Sequence, residues 1–149
     1  MKTKHIRVTL LALLAFSLSV SVGLAGDFDW TRDLNIRAET DPSHFRAQLS
    51  TRFNIGDAQV KVVLGNVDRP ADAYMVFRLG EMSSKSIDYV MSKYNTEKSK
   101  GWGKLAQSLG IKPGSREFQA LKQGSDIYSG EDNKNSHKKS KSNKGKGKG

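Results

Sequence analysis

Lys134, Lys138, Lys139, Lys141, Lys144, Lys146 and Lys148 fall within 15 residues, separated by Gly, Ser, Asn and His with no apolar side chain among them. A chain of that kind is a flexible polycation. It would bind anionic polymers by releasing their counterions, with no geometry that could read a sequence of bases; the alternative is a solubilising tail without a partner. Near an anionic membrane each lysine is worth about 1 kcal/mol at best, and the effect fades within a Debye length of ~8 Å at physiological salt. Other chemistry is harder to assemble. There is no cysteine, which excludes disulfides, thiolate metal sites and cysteine nucleophiles. His5, His44 and His137 are the three histidines, and only His44 stands in an apolar-rich region, so one chain cannot build a His-based triad or a multi-His metal site. Asp27, Asp29 and Asp33 start like a calcium loop, but that pattern needs Gly at 32 and Glu at 38, where the chain has Arg32 and Ala38. Gly101-Trp102-Gly103-Lys104 could open a helix toward an anion, yet it lacks the preceding strand of a phosphate loop; the simpler role is a sharp entry that packs Trp102 inward. Asp72, Arg78 and Glu81 are the charges of an otherwise apolar stretch, and Arg78 and Glu81 are spaced to pair on its outer stripe. No residue set calls for a cofactor or a metal.

The charges must then be placed along the chain. Of 149 residues, 25 are Lys or Arg and 15 are Asp or Glu. Residues 1–26 hold three positive charges and no acids, residues 27–129 hold 15 and 13, and residues 130–149 hold seven and two. The basic character lies at the two ends, and the middle is nearly neutral. Lys2, Lys4 and Arg7 followed by the uncharged run Val8–Ala25 form the pattern of a secretory signal peptide, with small residues Gly23 and Ala25 before the cleavage point. The rival is an uncleaved anchor, since 18 uncharged residues can just span a bilayer; Ser17, Ser19 and Ser21 weaken that reading.

The elements follow from apolar spacing. Asp41-Pro42 is a cap followed by a first helical residue, and Phe45, Leu49 and Phe53 recur every fourth position. Over the same residues Phe45, Ala47, Leu49, Thr51, Phe53 and Ile55 alternate, as Leu34, Ile36 and Ala38 do, which would make a β-hairpin over 33–55. The spacing favours a helix at 42–53 with an extended piece at 33–38. Asp57 can cap a helix carrying Val60, Val63, Leu64 and Val67. Residues 70–82 are apolar around most of a helix and belong at the centre of a bundle. Ser86 caps a helix bearing Ile87, Val90, Met91 and Tyr94; Trp102, Leu105, Ala106 and Leu109 make another; Ser115 caps a last one with Phe118 and Leu121. The expected fold is mainly α, a compact bundle of about five or six short helices. It carries an N-terminal extended segment and a disordered C-terminal tail, divided as signal 1–26, helical domain 27–124 and basic tail 125–149.

The stretches Asp68-Arg-Pro-Ala-Asp-Ala-Tyr-Met-Val-Phe-Arg-Leu-Gly80 and Gly101-Trp-Gly-Lys-Leu-Ala-Gln-Ser-Leu-Gly-Ile-Lys-Pro-Gly-Ser-Arg-Glu-Phe118 together resemble a group of small exported proteins of Gram-negative bacteria. These combine a signal peptide, this helical region and a Lys/Gly-rich end. The resemblance implies a periplasmic or secreted location and no catalytic residues. A second resemblance is to helix-turn-helix motifs, through Leu105, Ala106, Leu109, Gly110 and Ile111. That motif would need apolar residues at 116 and 119, where Arg116 and Gln119 stand; the apolar pair comes two residues late. On the DNA-binding reading Arg116, Gln119 and Lys122 would face the duplex.

These observations point to an exported, non-enzymatic helical module that binds or scaffolds at the cell envelope, with its lysines on an anionic polymer or membrane surface. The first rival is a nucleic-acid-binding module. The second is a small carboxylate-dependent enzyme, which would need two carboxylates converging in one cleft with raised pKa values. The signal reading has a direct check. Intact-mass analysis of the secreted protein should give a chain starting at Gly26 or Asp27, and a full-length, membrane-retained product would mean an anchor.

Overall fold

The computed structural model describes residues 28–129, so the signal segment and the seven C-terminal lysines, with the expectations placed on them, lie outside the described residues. The described chain forms seven α-helices and no strand: α1 Trp30–Thr40, α2 Pro42–Phe53, α3 Asp57–Leu64, α4 Pro70–Ser83, α5 Ile87–Glu97, α6 Trp102–Ser108 and α7 Arg116–Gln123. One 3-10 turn, Lys98–Lys100, joins α5 to α6. α4 packs against α1, α3 and α5; α2 packs against α1 and α3, and α6 against α5.

The extended piece expected at 33–38 is helical instead. Leu34 and Ala38, one turn apart, are buried beside Asn35, whereas Ile36 is 56% exposed. The alternation of Leu34, Ile36 and Ala38 is therefore not the pattern that packing uses. The i, i+4 pair is, and this adds a helix to the expected number. At 42–53 the helix prevails over the hairpin. Asp41 Oδ1 accepts from His44 N at 3.0 Å, Pro42 follows the cap, and Phe45 and Leu49 are buried while Ala47 and Thr51 face out. In α3, Gly56 rather than Asp57 stands at the cap, and Asp57 is the first helical residue, held by Arg46 at 2.6 Å and Lys61 at 2.8 Å.

α4 is the central element, burying Ala71, Ala73, Tyr74, Met75, Val76, Phe77, Leu79 and Gly80. Its small residues matter as much as the large ones. A Cβ on Gly80 would lie 2.9 Å from Ile87 Cδ1 and 3.3 Å from the Lys85 carbonyl, so α5 can approach only where no side chain stands. The packed chain also continues past the expected boundary at 124. Ile127 and Tyr128 are 5% and 8% exposed, and they form part of the core.

Two substitutions test this core. Phe77→Ala should destabilise by about 3–5 kcal/mol, a large part of the ~5–15 kcal/mol that holds a domain together. Gly80→Ala should cost about 1–3 kcal/mol by overpacking against Ile87. Chemical denaturation measures both, and a neutral Gly80→Ala would mean that α4 and α5 are not in close contact.

Candidate functional site

The residues singled out from the sequence separate in space. Arg116 and Gln119 are exposed on α7, opposite the buried Phe118 and Leu121. Lys122 turns back, its ammonium 6.0 Å from the centre of the Phe118 ring. The link between α6 and α7 spans the seven residues 109–115, against about three or four in a helix-turn-helix. Gly101 takes φ +85° at the entry to α6, and Trp102 packs against the core with its ring stacked on Tyr94 at 5.6 Å. Asp29 and Asp33 lie at the start of α1, and no group of three or more potential metal ligands exists among the described residues. No described helix is long and apolar enough to cross a membrane.

Two polar assemblies do form. The first fastens the C-terminal strap, residues 124–129, to the bundle. Arg52 of α2 forks onto Glu81 of α4 at 3.0 and 3.1 Å and reaches Asp126 of the strap at 2.7 Å. Arg78 pairs with Glu81 as its spacing predicts, and Tyr74 donates to Asp126 Oδ1 at 2.9 Å. Beyond it the Tyr128 ring stacks on His44 at 5.9 Å, with the Arg37 guanidinium 5.1 Å from its centre. His44 thus supports the strap through its ring, besides giving its backbone N–H to the α2 cap. The charges shift one another's pKa values. The hydrogen bond from Arg52 holds Glu81 below the usual range. Burial pushes Asp126 up, but hydrogen bonds from Arg52 and Tyr74 and the nearby guanidinium charges outweigh it, and its pKa falls. Burial raises the Tyr74 phenol to about 12.

The second assembly is a cleft of about 460 Å³ at the N-terminus of α4. Thr31 and Asn35 come from α1, Asp68 and Arg69 from the link before α4, Asp72 from its first turn, Tyr94 from α5, and Lys98, Ser99 and Trp102 from the segment that follows. Each position has a local cause. The first N–H groups of a helix lack internal partners. Asn35 Oδ1 accepts from Ala71 N at 2.8 Å, and Asp72 Oδ2 accepts from Arg69 N at 3.2 Å. Tyr94 then donates to Asp72 Oδ2 at 2.7 Å and accepts from Asp68 N at 3.1 Å, while Lys98 Nζ bridges both Asp68 oxygens at 2.6 and 2.7 Å.

The two carboxylates of this cleft are driven apart. Burial pushes the Asp72 carboxyl above the usual range against the pull of its two hydrogen bonds. The Lys98 ammonium holds Asp68 below it. Burial likewise pushes the Tyr94 phenol up. The pairing looked for in a carboxylate-dependent enzyme is therefore half present: two acids meet in one cleft, and one is raised. Sequence reasoning took Asp72 only as a charge on an apolar stretch and Tyr94 as part of an apolar face, and gave Asp68 and Lys98 no role. The available signal was the i, i+4 spacing of Tyr94 and Lys98, which places the two on one side of a helical turn.

No family model matches the sequence, and neither a curated protein nor a solved structure matches it.

The strap network makes the stability pH-dependent with a defined sign. A carboxyl held below its unfolded value contributes stability that is present above that value and lost as the pH falls through the folded one. For Glu81 and Asp126 the loss begins at the ordinary values of 4.5 and 3.8 and continues below them. Arg52→Met should lower stability at neutral pH by about 1–2 kcal/mol, above an isolated surface pair because two carboxylates and the strap lose one shared partner. Thermal midpoints across that pH range should then fall less steeply in the variant. An equally steep acid limb would place the titrating groups elsewhere.

Proposed function

We propose that the chain is an exported, non-enzymatic binding module. Its helical domain holds a lysine-rich segment to an anionic polymer or membrane surface at the cell envelope. The observation that carries this reading is the fixed root of that segment. Arg52, Tyr74, His44 and Arg37 pin Asp126 and Tyr128, and the residues that follow Ser129 include seven lysines. The signal pattern of residues 1–26 and the resemblance to small exported proteins support the location. Within the domain Arg46, Arg52, Lys61, Arg78, Lys93 and Lys98 each sit within 4 Å of a carboxylate, whereas the C-terminal lysines are the densest run of positive charge in the sequence. The nucleic-acid reading has weaker support, because the α6–α7 link is long and Lys122 is folded over Phe118.

Fluorescence anisotropy with the mature chain and a version ending at Ser129 tests the proposal. Affinity for an acidic polysaccharide and for duplex DNA should fall steeply with salt; on DNA, full engagement of the lysines gives a slope near −6 in log affinity against log salt, by about −0.9 per phosphate. The shortened chain should lose binding to both polymers and keep its thermal midpoint. Sequence-selective DNA binding that survives the truncation and disappears in Arg116→Ala or Gln119→Ala would establish the nucleic-acid-binding module instead.

A further inference from the structure

We propose that the cleft at the N-terminus of α4 is a binding site for a neutral saccharide ring. This is independent of the lysine-rich segment. The argument begins with the lining. Asp68 and Asp72 are balanced by Arg69 and Lys98, so the cleft carries both signs and no net charge. Leu, Ile, Val, Met and Phe are absent from its wall, which disfavours an acyl chain. Its one partly exposed apolar ring is that of Trp102, stacked on the buried Tyr94. At about 460 Å³ it falls within the range of small-molecule sites, ~300–1,000 Å³.

The hydrogen-bonding groups narrow the chemistry further. Both hydrogen bonds to Asp72 fall on Oδ2, which leaves Oδ1 for a donor from a ligand. Lys98 uses its ammonium on both Asp68 oxygens and sits 5.2 Å from the centre of the Tyr94 ring, so a cationic ligand would have to displace a cation already in place. An anionic ligand would meet two carboxylates in the wall, Asp68 and Asp72. A hydroxyl group meets neither objection. It donates to a carboxylate and accepts from Arg, Lys or Ser, and the C–H face of a sugar ring suits an indole. Asp72 is then the acceptor for one ring hydroxyl and Lys98 a donor to another, with Trp102 as the platform.

Nitrogen-15-edited NMR of the full chain tests the assignment, using methyl β-glucoside, N-acetylglucosamine and, as the charged comparison, butylammonium. At least one sugar should shift the Trp102 indole and the Thr31 and Ser99 amides in a saturable way, with Kd about 1 mM. Asp72→Asn should weaken that binding by about tenfold, the loss of one charge-assisted hydrogen bond. Lys98→Met, at an exposed position, should also weaken it and serves if Asp72→Asn fails to fold. Shifts from butylammonium without shifts from either sugar would overturn the ligand class. Absence of shifts from all three would overturn the site, and so would unchanged sugar affinity in every variant that folds.

Discussion

Tyr74 is 1% exposed, and its burial organises much of the molecule. The Trp30 ring of α1 meets it edge-on at 5.6 Å, and the Phe53 ring of α2 lies at the same distance, tilted by 58°. Such aromatic pairs are worth ~0.5–1.5 kcal/mol each beyond the area they bury. A buried phenol, however, cannot leave its hydroxyl without a partner, a lack that would cost about 1–3 kcal/mol. Filling the interior with this ring therefore calls for a hydrogen-bond partner at its tip. Asp126 is that partner, and it also donates its backbone N–H to Tyr74 Oη at 3.3 Å. The strap follows from this requirement. Once Asp126 is drawn in, its charge needs Arg52, and Ile127 and Tyr128 come within reach of α1 and α2.

Much of the bundle was legible because its signal is local. Phe45 and Leu49 one turn apart, the Asp41-Pro42 cap, the Ser86 and Ser115 caps and the dense apolar run of α4 are facts about neighbours in the chain. Each predicts its helix without knowing what the helix packs on. The failure at 33–38 has the same origin. Leu34, Ile36 and Ala38 satisfy a strand period and Leu34 and Ala38 a helical one. What decides between them is α4, whose surface takes up one face of α1 and leaves Ile36 in water. The boundary at 124 fell short for a comparable reason. After Gly124 the chain turns polar, and two apolar residues in six give no periodicity; only the Tyr74 hydroxyl explains why they are drawn in.

The cleft was hidden more thoroughly. Apart from the local bond between Arg69 and Asp72, its bonds join residues 22 to 36 positions apart, as Tyr94 to Asp72 and Asn35 to Ala71 do. No window of sequence contains both partners. Asp68 and Asp72 read as ordinary charges flanking a proline, and Tyr94 as an ordinary core aromatic. The bundle changes their meaning by placing the start of α4 against the sides of α1 and α5. The unpaired N–H groups there need oxygen acceptors, and a carboxylate recruited to cap a helix is thereby half-buried next to a phenol. The polar character of the site and its raised carboxyl thus both descend from capping.

Charge is arranged differently in the domain and beyond it. The lysines and arginines that are paired in the domain face carboxylates on neighbouring turns or helices, as Lys93 does with Glu97 and Lys98 with Asp68. Their fields cancel over a few ångströms, and salt can do little more than the partners already do. In residues 130–149 two acids precede seven lysines, so after Asp132 there is no carboxylate side chain to cancel them. A uniform distribution of the same net charge of +10 would have repelled itself across a small domain that has no disulfide to resist it. In the sequence the excess is gathered instead after the strap tied down by Asp126 and Tyr128, and the stretch 27–129 that includes the core is left nearly neutral.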